Sequence, residues 1–284
     1  MKIGTDGILI GSWVNVTKKF RALDIGSGTG IITIMLCQRN LNLELDSIEL
    51  SHSAIMDAKI NIENSNWSDR IKLFHQDLKD FHPDSNYDLI VSNPPYFKKS
   101  LQPSNSERSK ARHQNDLKLE DILKFSNQNL TKDGSLNIIL PFEQKKEAIE
   151  FAKKHGLNAI RECSVYPKPN KAPHRILIEF SRCENKQLIK ESLVIEEAGR
   201  HNYSEDYKKF LLNYTKESYP NEMNEPYLRV WTKPVTSYAK NYSKFDVSLA
   251  PIKNHLFNRV KSQLKVIEAG FYKSVNLYVI VWPV

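Results

Sequence analysis

The residues best suited to chemistry are consecutive: Asn93, Pro94, Pro95 and Tyr96, followed by Phe97. A nitrogen conjugated to a ring or a carbonyl is a poor nucleophile because its lone pair is delocalised. The side-chain oxygen of Asn93 and the backbone carbonyl of Pro94 can each accept one N–H of such a nitrogen, which turns its lone pair towards a methyl donor. Proline stiffens the turn, and Tyr96 offers a face for stacking. We therefore predict that these four residues catalyse methyl transfer to a planar nitrogen; the alternative is a proline-rich turn after a strand.

A glycine-rich loop lies upstream, within residues 23–30 (LDIGSGTG), between an apolar segment and a helical one. Gly26 and Gly28 let the backbone approach a ligand, and the helix behind the loop favours an anionic group. Alone, such a loop also suits dinucleotides. We predict that Asp24, Gly26, Gly28 and Gly30 contribute to a cofactor site.

Two acidic residues refine the choice of cofactor. Glu49 ends a strand-like segment 19 residues after Gly30, where a carboxylate can accept both hydroxyls of a ribose. Asp77 comes after the next strand-like segment and can accept from an adenine amino group. We predict that Glu49, Asp77 and Leu78 contribute to the cofactor site. An adenosine without a phosphate cluster fits S-adenosylmethionine better than a dinucleotide. Each acid alone could equally be a solvated loop carboxylate.

These residues need strands that end at a common edge of a sheet. Strand-like and helix-like segments alternate from about residue 20 to about 180, which predicts an α/β fold with a doubly wound, mostly parallel sheet. The last two strands are joined by a short turn, which predicts an antiparallel hairpin at the sheet edge. A strand-like 193–196 and an amphipathic 203–214 follow. The seven predicted strands are 20–25, 43–48, 71–75, 87–92, 135–141, 159–166 and 175–181, and the predicted helices are 29–39, 52–63, 119–130 and 142–155.

Composition narrows the class of protein further. The 284 residues carry a formal charge of +8, a modest excess that implies a polyanionic partner only where it is clustered. The three cysteines are far apart, so neither a metal site nor a disulfide framework is expected. No apolar run has transmembrane length and no signal peptide is evident, so we expect a cytoplasmic protein with no membrane partner.

The glycine loop, Glu49, Asp77 and the Asn-Pro-Pro-Tyr run together resemble the ordered motifs of class I S-adenosylmethionine-dependent amino methyltransferases. That resemblance implies a Rossmann-like fold and S-adenosylmethionine as the cofactor. It covers enzymes that methylate adenine N6 or guanine N2 in nucleic acids and enzymes that methylate a glutamine of release factors.

The N-terminal segment 2–13 (KIGTDGILIGSW) resembles the bacterial tRNA1(Val) adenine-N6 methyltransferases, which modify the adenine just 3′ of the anticodon. The resemblance implies tRNA as the partner and places Thr5 and Asp6 near the methionine end of the cofactor. Alternatively, Thr5 and Asp6 cap a short helix.

The basic segment 108–113 (RSKARH), which follows the predicted catalytic run, resembles the substrate segment of the same family; the alternative is a solvated charged loop. We predict contacts to RNA phosphates there, which supply affinity but little choice of base. The segment 196–204 resembles the family's C-terminal signature, so the match runs from residue 1 to about residue 214. The predicted substrate-binding residues are Phe97, Arg108, Arg112 and His113.

Two features depart from the family pattern. The chain begins almost at the Lys-Ile-Gly-Thr-Asp segment, and we hypothesise that an N-terminal segment is missing. Residues 215–228 are predicted to be a linker. About 45 residues of the tail 229–284 resemble a fragment of a GT-B glycosyltransferase, and the resemblance implies that Glu268 corresponds to the acidic residue that binds the ribose of the sugar donor. We expect an inert appendage there; the alternative is a helix and strand packed on the preceding domain, 1–214.

Three functions therefore stay open at this point. The first is methylation of adenine N6 in tRNA, and the second is methylation of a glutamine amide in a release factor. The third is an RNA-binding module whose missing N-terminus prevents turnover. The segments 2–13 and 108–113 favour the first function, which is our leading prediction.

Overall fold

The computed structural model describes residues 4–95, 117–184, 186–197, 199 and 202–216. In this part of the chain eight strands form one sheet, with helices on both faces. The strands are β1 (Arg21–Ile25), β2 (Glu44–Glu49), β3 (Ile71–His75), β4 (Tyr87–Ser92), β5 (Leu130–Pro141), β6 (Asn158–Tyr166), β7 (Arg175–Ser181) and β8 (Ile189–Val194). The helices are α1 (Thr5–Trp13), α2 (Ile31–Arg39), α3 (His52–Glu63), α4 (Leu119–Asn129), α5 (Lys145–Lys154) and α6 (Glu205–Lys216).

The strand order is β3-β2-β1-β4-β5-β7-β6-β8, and only β7 runs opposite to its neighbours. The chain winds outward from β1 to β3 and then returns to place β4 on the other side of β1. In open α/β sheets a crevice forms outside the carboxyl ends of the strands at such a switch point. The order therefore locates a binding site at the ends of β1 and β4.

The central strands are apolar because helices cover both of their faces. Alternate residues of β1 show this, since Ala22 belongs to the core under α1 and α2, while Leu23 and Ile25 belong to the core under α4 and α5. All three side chains are at most 1% exposed. Strands buried on both faces read as continuous apolar runs, which is why they were predictable from the sequence.

The sheet has one strand more than the seven predicted. β8 is mostly exposed and carries Lys190 and Glu191, so it lacks the apolar run that marks a central strand. Charged, exposed residues are typical of edge strands, where they discourage pairing with other chains. The predicted strand-like 193–196 captured only the end of it.

The predicted antiparallel pairing of the sixth and seventh strands is confirmed, but their place at the sheet edge is wrong. β7 lies between β5 and β6, and β8 pairs with the outer side of β6. The turn between β6 and β7 lies on the side of the sheet where the parallel strands have their carboxyl ends, because Arg175 at the start of β7 pairs with Pro141 at the end of β5.

Two helix starts also differ from the prediction. The helix α2 begins at Ile31, after a left-handed Gly30, and a 3-10 turn (Phe142–Gln144) precedes α5.

No described helix is long and apolar enough to cross a membrane. The first two residues of the predicted linker 215–228 belong to α6; the rest of the linker and the tail 229–284 lie outside the described residues.

Candidate active site

A cleft of about 540 Å³ opens at the carboxyl ends of the central strands. Its walls come from the first turn of α1, the glycine loop after β1, the ends of β2 and β3, and the turn after β4. This volume lies within the range of roughly 300–1,000 Å³ that small-molecule and cofactor sites occupy. The four separate sequence signals therefore converge on one cavity.

The glycine loop is held against β2 by its own backbone. Gly26 and Ser27 both donate from their backbone N–H to the carbonyl oxygen of Ile48, at 2.9 and 3.1 Å. Gly28 has a left-handed φ of 57°, a conformation that side chains other than glycine adopt at a cost. This conformation leaves the Gly28 N–H facing the end of β2.

Glu49 receives that N–H. Its Oε2 accepts from the Gly28 backbone at 2.8 Å, and its Oε1 accepts from the Ser51 backbone at 2.7 Å. A carboxylate has about four acceptor positions, so each oxygen keeps capacity for a further donor. The side chain is half-buried and lines the cleft, which fixes an anionic acceptor pair in place before any ligand arrives.

Asp77 is fixed by a local turn after β3. Its Oδ1 accepts from the Lys79 backbone N–H at 3.0 Å and so caps the short 3-10 turn that starts at Leu78. The Leu78 side chain is buried, while the Leu50 side chain is 46% exposed, and both line the cleft. This end of the cleft therefore combines a carboxylate with apolar surface.

Gly30, a predicted cofactor residue, is not among the described residues that line the cleft. It is the left-handed N-cap of α2, and a Cβ atom there would lie 3.5 Å from Ala58 and Ile62 of α3.

Asp24 is also set apart from the cleft. Its side chain is fully buried beneath the glycine loop and is not among the described residues that line the cleft. The Thr33 hydroxyl donates to its Oδ2 at 2.7 Å. Burial raises the pKa of Asp24 to about 7, the Thr33 hydrogen bond opposes this rise, and the nearby Glu49 charge adds to it. A direct contact of Asp24 with a cofactor stays a prediction.

Thr5 and Asp6 are the first two residues of α1, and Gly4, in an extended conformation, is its N-cap. Asp6 does not face the cleft with a free carboxylate, because its two oxygens accept from Arg175 Nε, each at 3.1 Å. Gly4 and Gly7 line the cleft instead. The first turn of α1 thus forms a wall of the cavity, and a ligand contact by the Thr5 or Asp6 side chain stays a prediction.

Asn93 and Pro95 line the cleft, and Pro94 between them is buried. This turn follows β4 directly and lies beside the glycine loop, because Ser92 pairs in register with Ile25. The predicted acceptor of a substrate nitrogen, the Asn93 side chain, therefore shares one cavity with Glu49. Tyr96, Phe97, Arg108, Arg112 and His113 lie outside the described residues.

Leu117 and Asp121 also line the cleft, and no sequence-based prediction named them. A Cβ atom placed on Gly26 would lie 3.6 Å from the Leu117 side chain, and Asp121 forms an ion pair of 3.8 Å with Lys79. Pro95 and Leu117 thus both line the cleft. No local pattern marks either Leu117 or Asp121, because their role depends on how α4 packs.

The described part of the cleft is acidic. Among the described lining residues the charged ones are three carboxylates and one lysine, and the lysine is paired with one of the carboxylates. Such a site favours a ligand that carries positive charge and disfavours a pyrophosphate. These four residues are Glu49, Asp77, Lys79 and Asp121.

The sequence of this chain is similar to those of known methyltransferases. The family model described as the methyltransferase small domain matches residues 5–155. A protein of Parabacteroides distasonis called tRNA1(Val) (adenine(37)-N6)-methyltransferase is 41% identical over 73% of this chain and 87% of its own length. Proteins of the same name from Bacteroides thetaiotaomicron and Histophilus somni are 40% and 38% identical over 75% of this chain, covering 90% and 92% of their lengths.

Among solved structures, the fold is similar to that of a protein described as a predicted O-methyltransferase from Agrobacterium tumefaciens. The TM-score is 0.58 at 19% identity, and the match covers 74% of this chain and 97% of the other. At this level of identity the similarity concerns the fold alone.

Proposed function

The chain belongs to the methyltransferase small domain family and, within it, to the tRNA1(Val) (adenine(37)-N6)-methyltransferases, and on this premise we propose that it methylates N6 of an adenine in tRNA. The methyl donor is S-adenosylmethionine, and the target is adenine 37 of tRNA1(Val). The observation that carries the proposal is identity of 38% to 41% extending over most of the relatives' length.

The described cleft fits S-adenosylmethionine on three counts. Glu49 presents two fixed carboxylate oxygens at the end of β2, suited to the two hydroxyls of a ribose. Asp77 stands beside the apolar surface of Leu50 and Leu78, suited to an adenine with an exocyclic amino group. The excess of carboxylates suits the positively charged sulfonium and ammonium groups.

When bound, S-adenosylmethionine would supply an electrophilic methyl group, and its sulfur would keep the electron pair of the broken S–CH3 bond and leave as the thioether S-adenosylhomocysteine. Asn93 supplies an amide oxygen that accepts one N6 hydrogen of the adenine, and the Pro94 backbone carbonyl accepts the other. These two bonds favour a tetrahedral nitrogen over the planar, conjugated one, which frees the lone pair for attack. Because donors and acceptors are held before the substrate arrives, little reorganisation is needed in the transition state.

No general base is required in this scheme. The N6 proton becomes acidic once the nitrogen carries the extra methyl group, and it leaves to water. In this proposal Tyr96 provides a stacking surface for the adenine, Phe97 contributes to substrate binding, and Arg108, Arg112 and His113 contact RNA phosphates. A base in an anticodon loop is already accessible, so its unstacking costs less than the few kcal/mol typical of a duplex.

Transfer of labelled methyl groups tests the proposal directly. The purified chain is incubated with labelled S-adenosylmethionine and an unmodified tRNA1(Val) transcript, and a transcript with guanine in place of adenine 37 is the matched control. We expect label in the first transcript and none in the second. Label in a release factor offered as an alternative substrate, or tRNA binding without any transfer, would contradict the proposal.

A further inference from the structure

The ion pair between Asp6 and Arg175 joins two segments that are 169 residues apart in the sequence. Arg175 Nε lies 3.1 Å from each carboxylate oxygen of Asp6, and the two side chains are only 22% and 17% exposed. A partly buried pair with such geometry is screened less by water and salt than a surface pair. It therefore restricts the position of the segment that carries Asp6.

The Asp6 side of the pair belongs to a wall of the cofactor cleft. Asp6 lies between Gly4 and Gly7, which both line the cavity. A Cβ atom on Gly7 would lie 3.3 Å from the Ile31 side chain, so the first turn of α1 packs closely on the residue that starts α2. A shift of this turn would change the shape of the cleft next to the glycine loop.

The Arg175 side of the pair is anchored to the other half of the sheet. Arg175 is the first residue of β7 and pairs with Pro141 at the end of β5. Its Nη1 donates to the His174 carbonyl oxygen at 2.9 Å, and the same carbonyl accepts from the Phe142 backbone at 3.2 Å. The guanidinium is thus fixed at the edge where β4 also ends.

We propose that Arg175 is a positioning residue for cofactor binding, which acts through Asp6 by holding the first turn of α1 in place as a wall of the cleft. This inference rests on the proposed function for the identity of the cofactor. A carboxylate in the first turn of a helix is stabilised by the helix dipole even without a partner. We therefore expect loss of Arg175 to shift the first turn of α1 while changing the free energy of unfolding only slightly.

A second arginine offers a matched control, because it anchors the far end of the same helix. Arg161 Nη2 donates to the Trp13 carbonyl oxygen at 2.9 Å, and its guanidinium carbon lies 3.9 Å from the centre of the indole ring. Trp13 is seven residues beyond Asp6, about 10 Å along the helix. Arg161 thus stabilises α1 without contacting the turn at the cleft.

The test measures the Kd of S-adenosylhomocysteine by calorimetry for the full chain and its variants. We expect R175Q and D6N each to raise the Kd about tenfold, and the double variant to raise it no further, as for two partners of one interaction. R175K should recover part of the affinity. R161Q should lower the Tm while leaving the Kd within about twofold of the wild type.

An unchanged Kd in R175Q would overturn the inference, as would additive effects of the two substitutions or an equal rise of the Kd in R161Q. These outcomes are separate from those that test the proposed function, because no tRNA is present. Wild-type protein that binds S-adenosylhomocysteine without methylating tRNA contradicts the proposed function alone. Normal affinity of R175Q in a protein that methylates tRNA contradicts the positioning role alone.

Discussion

The buried hydroxyl of Ser92 donates a hydrogen bond of 2.8 Å to the backbone carbonyl oxygen of Ile25. The bond ties the last residue of β4 to the last residue of β1, and the two are also register partners in the sheet. The glycine loop starts directly after Ile25, and Asn93 starts directly after Ser92. This bond adds to the strand pairing that sets the distance between the proposed methyl-donor side and the methyl-acceptor side of the cleft.

Replacing Ser92 with Ala removes this bond and leaves a buried carbonyl with one partner fewer. We expect the free energy of unfolding to fall by about 1–3 kcal/mol and the kcat to fall, because the turn after β4 is less firmly held. Urea unfolding and methyl transfer measure the two effects. Ser126→Ala is the control, since this serine is equally buried and its hydroxyl has no partner among the described residues. Equal destabilisation by both substitutions would show that the Ser92 bond is not the cause.

Asn93→Ala should reduce the kcat by about 100-fold or more, the loss typical for removal of one preorganised polar group. The Kd for S-adenosylhomocysteine should stay within a few-fold, because the carboxylates proposed to bind the cofactor, Glu49 and Asp77, lie at the end of β2 and just after β3. Asn170→Ala, at an exposed position in the turn between β6 and β7, controls for the chemical change. Full activity of the Asn93 variant would refute the role assigned to its amide oxygen.

Much of the cleft was predictable because its parts follow parallel strands. Gly26, Glu49, Asp77 and Asn93 come directly after strands or within one or two residues of their ends. Parallel strands end at the same edge of a sheet, so residues far apart in sequence meet there once the strand order is known. The strands themselves were visible as short apolar runs.

The remaining parts depend on packing that leaves no local mark. Asp6 could be predicted as a helix cap or a ligand contact, but its partner Arg175 lies 169 residues away at the start of another strand. Leu117 reaches the cleft only because α4 packs beside the glycine loop. Most of β8 was not predicted, because an exposed edge strand does not need a run of apolar residues in its sequence.

Glu49→Gln should weaken cofactor binding more than it weakens the fold. The substitution removes the negative charge and converts one acceptor oxygen into a donor, which then faces a backbone N–H of Gly28 or Ser51. Loss of charge-assisted bonds of about 1.5–3 kcal/mol corresponds to a rise in the Kd of roughly 10-fold to 100-fold. Calorimetric titration with S-adenosylhomocysteine measures it. Glu63→Gln, on the exposed face of α3, should leave the Kd unchanged; a similar rise there would point to a general effect of charge.

The buried carboxyl of Asp24 makes the stability of the protein depend on pH. Burial raises the pKa of Asp24 from its ordinary value to about 7. The folded state therefore binds this proton more tightly than the unfolded state does. The contribution to stability is fully present below the ordinary pKa of an aspartate, near 3.9, and is lost progressively as the pH rises towards 7.

Asp24→Asn should remove this dependence, because an amide does not titrate and its oxygen can still accept from the Thr33 hydroxyl. Between pH 5 and pH 7 the wild type should lose about 2–3 kcal/mol of stability relative to the variant, from roughly 1.4 kcal/mol per pH unit. Urea unfolding of both proteins at several pH values gives this difference, in which other titrating groups cancel. Asp133→Asn removes a carboxylate at an exposed site on β5. The free energy of unfolding of this variant should change with pH in the same way as that of the wild type. A change in the packing of the buried side chain alters the free energy of unfolding by the same amount at every pH, so it shifts the curve without changing its slope. Parallel curves for Asp24→Asn and the wild type would therefore contradict the raised pKa.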